Sequence, residues 1–122
     1  MVDVMTRRKR IVIGISGASG FDYSVEVLKI LSELDVETHL VVSQSALIAM
    51  SHESDITLMK LKDLSSHWYD NRDIAAPIAS GSFRTEGMIV VPCSAKTLAE
   101  IANGIGGNRL SRSAVVVREG RV

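Results

Sequence analysis

The sequence contains few cysteine, proline and aromatic residues, and it has no excess of positive or negative charge. Its 122 residues include one cysteine (Cys93), two prolines, one tryptophan, two tyrosines and two phenylalanines. A single cysteine excludes an intrachain disulfide framework and a cysteine-rich zinc site. Fourteen basic residues balance fourteen acidic ones, which argues against a general nucleic-acid-binding protein because such proteins carry a basic excess. Since aromatic residues are few, the core must be mainly aliphatic.

Long apolar runs are also missing. No stretch approaches the roughly 18 apolar residues of a membrane helix. The basic residues at 7–10 are followed by a short apolar run at 11–13 and then by Gly14, whereas a signal peptide has about 7–15 apolar residues at that point. We therefore expect a cytoplasmic protein without a membrane association, with residues 1–9 as a basic lead-in and residues 10–122 as one α/β domain.

Apolar patterning along the chain alternates between strand-like and helix-like segments. Short runs rich in β-branched residues, typical of buried strands, occur at 11–13, 36–42 and 88–91. Apolar residues at helical spacing occur at 21–35, 58–64 and 95–102, and Ser43 is placed to cap a further helix through 46–50. This order predicts an α/β fold with a parallel sheet that begins with a right-handed βαβ unit.

The polar middle of the chain has a weaker pattern. We expect Trp68 and Tyr69 to act as packing anchors, Asp70 to lie in a solvated turn, and residues 74–83 to form an ordered loop.

Three of the predicted strands end in turns rich in glycine and serine, at residues 14–20, 43–45 and 93–97. Because ligands of open parallel sheets bind beyond the carboxyl ends of the strands, we expect these three turns to meet at one edge. Hydroxyl groups, backbone N–H groups and helix N-termini together suit a phosphate or a phosphorylated cofactor. The alternative for the first turn is a purely structural role.

Several familiar motifs are excluded at the first turn. Ser16 and Ser19 stand where the dinucleotide-binding fingerprint has glycine, and Ser43 stands where an acidic residue would bind the ribose, so NAD binding is disfavoured. No Gly-Lys-Ser/Thr sequence closes a P-loop, and no G-x-S-x-G elbow is present for a serine hydrolase.

Residues 94–97 lie at a predicted helix start and allow two interpretations. In the first, Ser94 is an N-cap and Lys96 a surface side chain. In the second, Ser94 and Thr97 donate to an anionic ligand beside the helix dipole. Cys93, just before them, is expected to pack as a small apolar residue, since no base is paired with it.

The three histidines, His39, His52 and His67, have no spacing that resembles a zinc motif. We therefore predict no metal site from the sequence.

Four motifs in order resemble the UbiX family of flavin prenyltransferases, long described as a component of phenolic acid or hydroxybenzoate decarboxylases. They lie at residues 14–20 (GISGASG), 36–43 (VETHLVVS), 79–83 (ASGSF) and 92–98 (PCSAKTL). The resemblance implies a flavodoxin-like Rossmann fold, a three-layer sandwich with a parallel sheet, that binds FMN. It also implies a homo-oligomer, between a trimer and a dodecamer.

The family's reaction transfers a dimethylallyl group from dimethylallyl monophosphate to N5 and C6 of reduced FMN, without a metal. The resemblance implies that the prenylated FMN is supplied to a UbiD-type aromatic acid decarboxylase. Matched position by position, it implies flavin-binding residues in all three turns, with Ser16 and residues 80–83 nearby. The implied flavin-binding residues are Gly17, Ala18, Ser19, Ser43, Ser94, Ala95, Lys96 and Thr97.

The sequence departs from the family pattern at two places. Phe21 and Asp22 replace small and aliphatic residues at the first helix start, where they could crowd or repel the flavin. Residues 115–122 (VVVREGRV) stand where the family has D-V-x-L-K-E-R-R, a strand and P-R-E-x-P. Arg118 and Glu119 match either the K-E or the later R-E of that pattern, which makes them the catalytic candidates.

Those departures lead us to expect a fold missing its C-terminal elements, and FMN binding with impaired or absent prenyl transfer unless another chain completes the site. Two alternatives remain: a cysteine-decarboxylase-like flavoprotein, and a non-enzymatic truncated fragment that forms oligomers. The sequence at 92–97 favours the prenyltransferase, because cysteine decarboxylases have a Pro-Ala-Ser-Ala-Asn-Thr type of loop there.

Overall fold

The computed structural model describes residues 9–17, 19–53, 55–71 and 84–104. The elements in chain order are β1 (Arg10–Ile15), α1 (Phe21–Glu33), β2 (Glu37–Val42), α2 (Gln44–Glu53), α3 (Leu58–Leu64), β3 (His67–Asp70), β4 (Gly87–Val90) and α4 (Ala95–Ala102). Residues 1–8 of the predicted lead-in at 1–9, and the predicted loop at 74–83, lie outside the described residues.

The four strands form one parallel sheet in the order β3-β2-β1-β4. At its centre Ile13 of β1 is in register with Leu40 of β2 on one side and with Ile89 of β4 on the other. The chain first extends the sheet from β1 to β2 and β3, and then returns to place β4 on the opposite side of β1. The strand order therefore reverses between β1 and β4, and such a reversal is where doubly wound sheets bind their ligands. The α/β fold with a parallel sheet is confirmed.

Strand residues alternate between two buried faces of the sheet, as expected for parallel strands. On one face, Ile13, Ile15 and Leu40 are fully buried in a cluster with Leu28 of α1. On the other face Val12 forms a second buried cluster with Val41, against which Tyr69, Met88 and Val90 pack. The core is aliphatic, as the scarcity of aromatic residues requires.

Helix α1 buries Phe21, Ser24, Val25 and Leu28. Phe21 packs in the core cluster, so the structure places it among the apolar side chains of the sheet rather than in the open loop. Its neighbour Asp22 is exposed.

Strand β3 was not predicted, and Asp70, which we expected in a turn, is its last residue. The strand forms through contacts distant in sequence, because it pairs along its whole length with β2. Just before it, Thr38 and Ser66 exchange two hydrogen bonds of 3.0 Å between the backbone N–H of each and the hydroxyl of the other. Trp68 packs against the core cluster, as expected of an anchor.

None of the helices in the described ranges has the length and apolar character needed to cross a membrane.

The contrast between Leu28 and Leu34 gives a test of the core. Leu28 is 0% exposed and Leu34 is 67% exposed. We predict that Leu28→Ala lowers the free energy of unfolding by about 2–5 kcal/mol, because it leaves a cavity in a packed core. The control, Leu34→Ala, should change it by about 0.5 kcal/mol or less. Urea denaturation followed by circular dichroism measures both, and equal losses would contradict this core.

Candidate functional site

The turns after β1 and β4 are joined by hydrogen bonds at the carboxyl edge of the sheet. The backbone N–H groups of Ser16 and Gly17 both donate to the carbonyl oxygen of Pro92, at 2.9 and 3.0 Å. In return, the N–H of Ser94 donates to the Ser16 hydroxyl oxygen at 3.0 Å. The first and third predicted turns thus form one unit across the point where the strand order reverses.

Residue 17 must be glycine because its turn packs closely against Pro92. A Cβ atom placed on Gly17 would lie 2.5 Å from Cβ and 2.7 Å from Cγ of Pro92, well inside van der Waals contact. A side chain would therefore push the two turns apart. Gly20 is needed for a different reason: it precedes α1 with a φ of 91°, a left-handed conformation that glycine adopts without strain.

The second turn is attached to the same edge through Ser43. Its backbone N–H donates to the carbonyl of Ile15 at 2.8 Å, and its hydroxyl oxygen accepts from the N–H of Ala46 at 3.1 Å. The Ser43 side chain is buried and caps α2. The predicted helix after Ser43 is confirmed.

At the start of α4, Ser94 is an N-cap. Its hydroxyl oxygen accepts from the N–H of Thr97 at 3.1 Å, and the hydroxyl donates to Thr97 Oγ1 at 3.1 Å. Thr97 is buried, whereas Ala95 and Lys96 are exposed. The structural interpretation of residues 94–97, a cap followed by a surface lysine, is therefore confirmed. An additional contact to an anion stays a prediction.

Three helices, α1, α2 and α4, begin just after the carboxyl ends of β1, β2 and β4. The first N–H groups of a helix have no partner within it, and the helix dipole places partial positive charge there. The first turns of α2 and α4 contain no acidic residue, and that of α1 contains Asp22. Lys96 adds a positive charge in the first turn of α4. This set of donors suits the phosphate of a nucleotide-type cofactor.

The structure brings Gly17, Ser43, Ser94 and Thr97 to one edge of the sheet, with Ser19 exposed in the first turn. Contacts of these residues with flavin stay a prediction. Ala18, Arg118, Glu119 and residues 80–83 lie outside the described residues, so their predicted roles also stay predictions.

Two residues of this edge were missed by sequence reasoning. Pro92 supplies the acceptor described above. Ser24 is fully buried and its hydroxyl donates to the carbonyl of Val91 at 2.6 Å, which ties α1 to the end of β4. The available signal was a serine within the apolar face of α1, one residue before Val25.

The expectation that Cys93 packs as a small apolar residue is wrong. Cys93 is exposed, because β4 ends at Val90 and Cys93 lies in the turn that leads out to α4.

A parallel sheet whose strand order reverses, with glycine- and serine-rich turns and helix N-termini at the reversal point, is an architecture in which phosphorylated cofactors bind. Comparison with known proteins identifies the family. The chain belongs to the Flavoprotein family, whose match covers residues 2–121.

Individual relatives agree with this assignment. The chain is 49% identical over 121 residues to the flavin prenyltransferase UbiX of Deinococcus radiodurans, covering 99% of this chain and 62% of that protein. It is similar to the crystal structure of AnUbiX in complex with FMN and dimethylallyl pyrophosphate (TM-score 0.90, 44% identity, covering 94% of this chain and 61% of the other). A dodecameric FMN-dependent UbiX-like decarboxylase from Escherichia coli gives a TM-score of 0.86 at 40% identity, covering 91% and 60%.

Cysteine decarboxylases share the fold alone. The peptidyl-cysteine decarboxylase EpiD has a TM-score of 0.68 at 22% identity, covering 90% of this chain and 64% of that protein. The chain thus spans a little over three fifths of the length of the UbiX proteins it matches.

Replacing Gly17 tests the contact that joins the two turns. We predict that Gly17→Ala lowers the free energy of unfolding by about 1–3 kcal/mol, because the added methyl group overlaps Pro92. Ser19→Ala in the same turn is the control, since Ser19 is exposed and its substitution should cost about 0.5 kcal/mol or less. Urea denaturation without flavin makes the measurement. Equal stability of Gly17→Ala and the parent would show that the turns are not closely packed.

Proposed function

We propose that this chain binds FMN at the carboxyl edge of its sheet and forms the flavin-binding part of a flavin prenyltransferase. The observation that carries the proposal is the hydrogen-bonded union of the turns after β1 and β4 through Ser16, Gly17 and Pro92. This contact holds the N-termini of α1 and α4 on the two sides of the point where the strand order reverses. In sheets of this kind a phosphorylated cofactor binds at that point.

The donors at this edge fit the FMN phosphate by their chemistry. The first turns of α1, α2 and α4 offer backbone N–H groups, and Ser19 and Lys96 are exposed beside them. The hydroxyls of Ser43 and Ser94 already accept backbone N–H groups. We therefore infer that their main contribution is to fix the helix starts, with phosphate recognition left largely to the backbone.

The proposed reaction is the redox-neutral transfer of a dimethylallyl group from dimethylallyl monophosphate. Reduced FMN would supply N5 and C6 as nucleophiles. The N5–C bond would replace the allylic C–O bond, and the N5 proton would leave with inorganic phosphate. The C6–C bond would form at the expense of the alkene π bond, which would take up one proton while C6 loses one. An allylic group that reacts as a cation must be kept from water. Arg118 and Glu119 are the proposed catalytic residues, on the family pattern alone.

We also propose a homo-oligomer and a downstream partner. Support for self-association comes from large apolar side chains left exposed, among them Ile30 on α1, Leu34 at its C-cap and Leu98 on α4. A UbiX-like relative is dodecameric. The proposed recipient of the prenylated flavin is a UbiD-type decarboxylase, and this part rests on the family resemblance. A cysteine-decarboxylase activity is less favoured, because the similarity to those enzymes extends to the fold alone.

Binding of FMN is tested directly by titration. We expect the purified chain to quench or shift the fluorescence of added FMN and to show a bound-flavin absorption spectrum. Ser19→Ala should weaken binding roughly two- to tenfold, because one hydrogen bond to the ligand is lost. Ser32→Ala, which removes an exposed hydroxyl at the far end of α1, should leave the affinity unchanged. A parent chain that does not bind FMN refutes the proposal.

Prenyl transfer is tested separately under anaerobic conditions. The chain is incubated with reduced FMN and dimethylallyl monophosphate, and the product is measured by mass spectrometry. We expect prenylated FMN to form more slowly than with the Deinococcus radiodurans relative, because residues 115–122 depart from the family pattern. Flavin binding without any product would restrict the function to FMN binding, and a rate equal to that of the relative would contradict the expected impairment.

A further inference from the structure

Three side chains that can ligate a metal meet on the sheet. They lie away from the three glycine- and serine-rich turns that are proposed to bind FMN (the flavin turns). Glu37 and His39 are two residues apart on β2 and therefore lie on the same face. The neighbouring strand β3 places His67 directly in register with His39. Their potential ligand atoms all lie within 4.8 Å of one another. Sequence spacing did not reveal this group, because one of its members lies on the strand that was not predicted.

The distances are close to those of a metal centre. Glu37 Oε1 lies 2.8 Å from His39 Nε2 and 3.8 Å from His67 Nε2. Ligand atoms about 2.0–2.2 Å from a tetrahedral Zn²⁺ ion are themselves about 3.3 Å apart. For the three atoms to surround one ion, the His67 ring would have to turn out of its stack on His39, and Glu37 Oε1 and His39 Nε2 would have to move apart by about 0.5 Å. His67 is half exposed, so it has room to rotate and leaves an entry path from solvent.

His39 is held as metal-ligating histidines usually are, with its second ring nitrogen bound to another group. It is 3% exposed, its ring stacks on that of His67 with centroids 4.7 Å apart, and its Nδ1 lies 2.9 Å from the Tyr69 hydroxyl. A hydroxyl can donate or accept. In the structure Nε2–H donates to Glu37 Oε1, and the Tyr69 hydroxyl can donate to Nδ1. With a metal ion on Nε2, the ring proton would move to Nδ1, and the Tyr69 hydroxyl would then accept it.

Of the charges around the cluster, the Glu37 carboxylate favours a bound cation and the Arg10 guanidinium opposes it. Burial lowers the pKa of His39, against the influence of its hydrogen bond to Glu37. Burial alone would raise the pKa of Glu37, but the hydrogen bond with His39 and the neighbouring positive charges hold that pKa below its usual value. Arg10 opposes a cation, because its Nε lies 3.4 Å from Glu37 Oε1.

We propose that Glu37, His39 and His67 bind one divalent transition-metal ion of the Zn²⁺ class, with the fourth position open to water. Two imidazoles and one carboxylate select such ions over Mg²⁺ and Ca²⁺, which prefer oxygen ligands. The ion would join β3 to β2. Glu37 and Ser43 are separated by about 20 Å along β2, at roughly 3.3 Å per residue, so the metal site and the flavin turns occupy opposite ends of that strand.

Titration of the full chain with ZnCl₂ after removal of metals by a chelator tests the site. Calorimetry should show one ion bound per chain, and His67→Ala and Glu37→Gln should each bind it at least tenfold more weakly. The matched control is His52→Ala, which removes the exposed histidine of α2 and should bind as the parent does. Circular dichroism verifies that each variant is folded. His67 is half exposed at the sheet edge, so its substitution should preserve the fold.

A spectroscopic readout makes the test independent of stability. Co²⁺ added to the parent chain should give visible absorption bands of a four-coordinate site, and these bands should be lost in His67→Ala and retained in His52→Ala. The proposal is overturned if the parent binds no stoichiometric Zn²⁺. It is equally overturned if the His67 and Glu37 variants bind as tightly as the parent, or if the His52 control loses as much affinity as they do.

Discussion

The carbonyl oxygen of Pro92 is the point on which the functional edge of this protein depends. It accepts hydrogen bonds from two successive N–H groups, those of Ser16 and Gly17, and so joins the turn after β1 to the turn after β4. The two turns, which lead into α1 and α4, are thereby held side by side. The arrangement works only when residue 17 has no side chain, because a Cβ atom there would overlap the Pro92 ring.

The serines of this edge serve the fold before they serve a ligand. Ser43 caps α2, Ser94 caps α4, and Ser24 ties α1 to Val91. A capping hydroxyl satisfies an N–H group that the helix leaves unpaired. The remaining unpaired N–H groups of the same first turns are then presented as a fixed group of donors. The phosphate site proposed above would therefore be formed mainly by backbone groups and needs few charged side chains.

Strand β2 connects two chemically different ends of the molecule. Its carboxyl end leads through Ser43 into the flavin turns, while its amino-terminal half presents Glu37 and His39 beside His67 of β3. Between these ends the same strand contributes Leu40 and Val42 to one apolar cluster and Val41 to the other. Position along one strand would thus separate the proposed flavin site, made of backbone donors, from the proposed metal site, made of side-chain ligands.

The sequence by itself determined the order of the elements apart from β3, the parallel sheet and the meeting of three turns at one edge, because apolar periodicity and the residues of the turns are local signals. Helix α4 was predicted at its observed bounds for that reason. Only the tertiary structure decided that residues 67–70 form a strand, that Pro92 joins two turns, and that His39 faces His67. Each depends on pairing between residues distant in the chain: β3 pairs with β2, and Ser16 with Pro92 across 76 positions. Such contacts leave no periodic pattern in a single sequence.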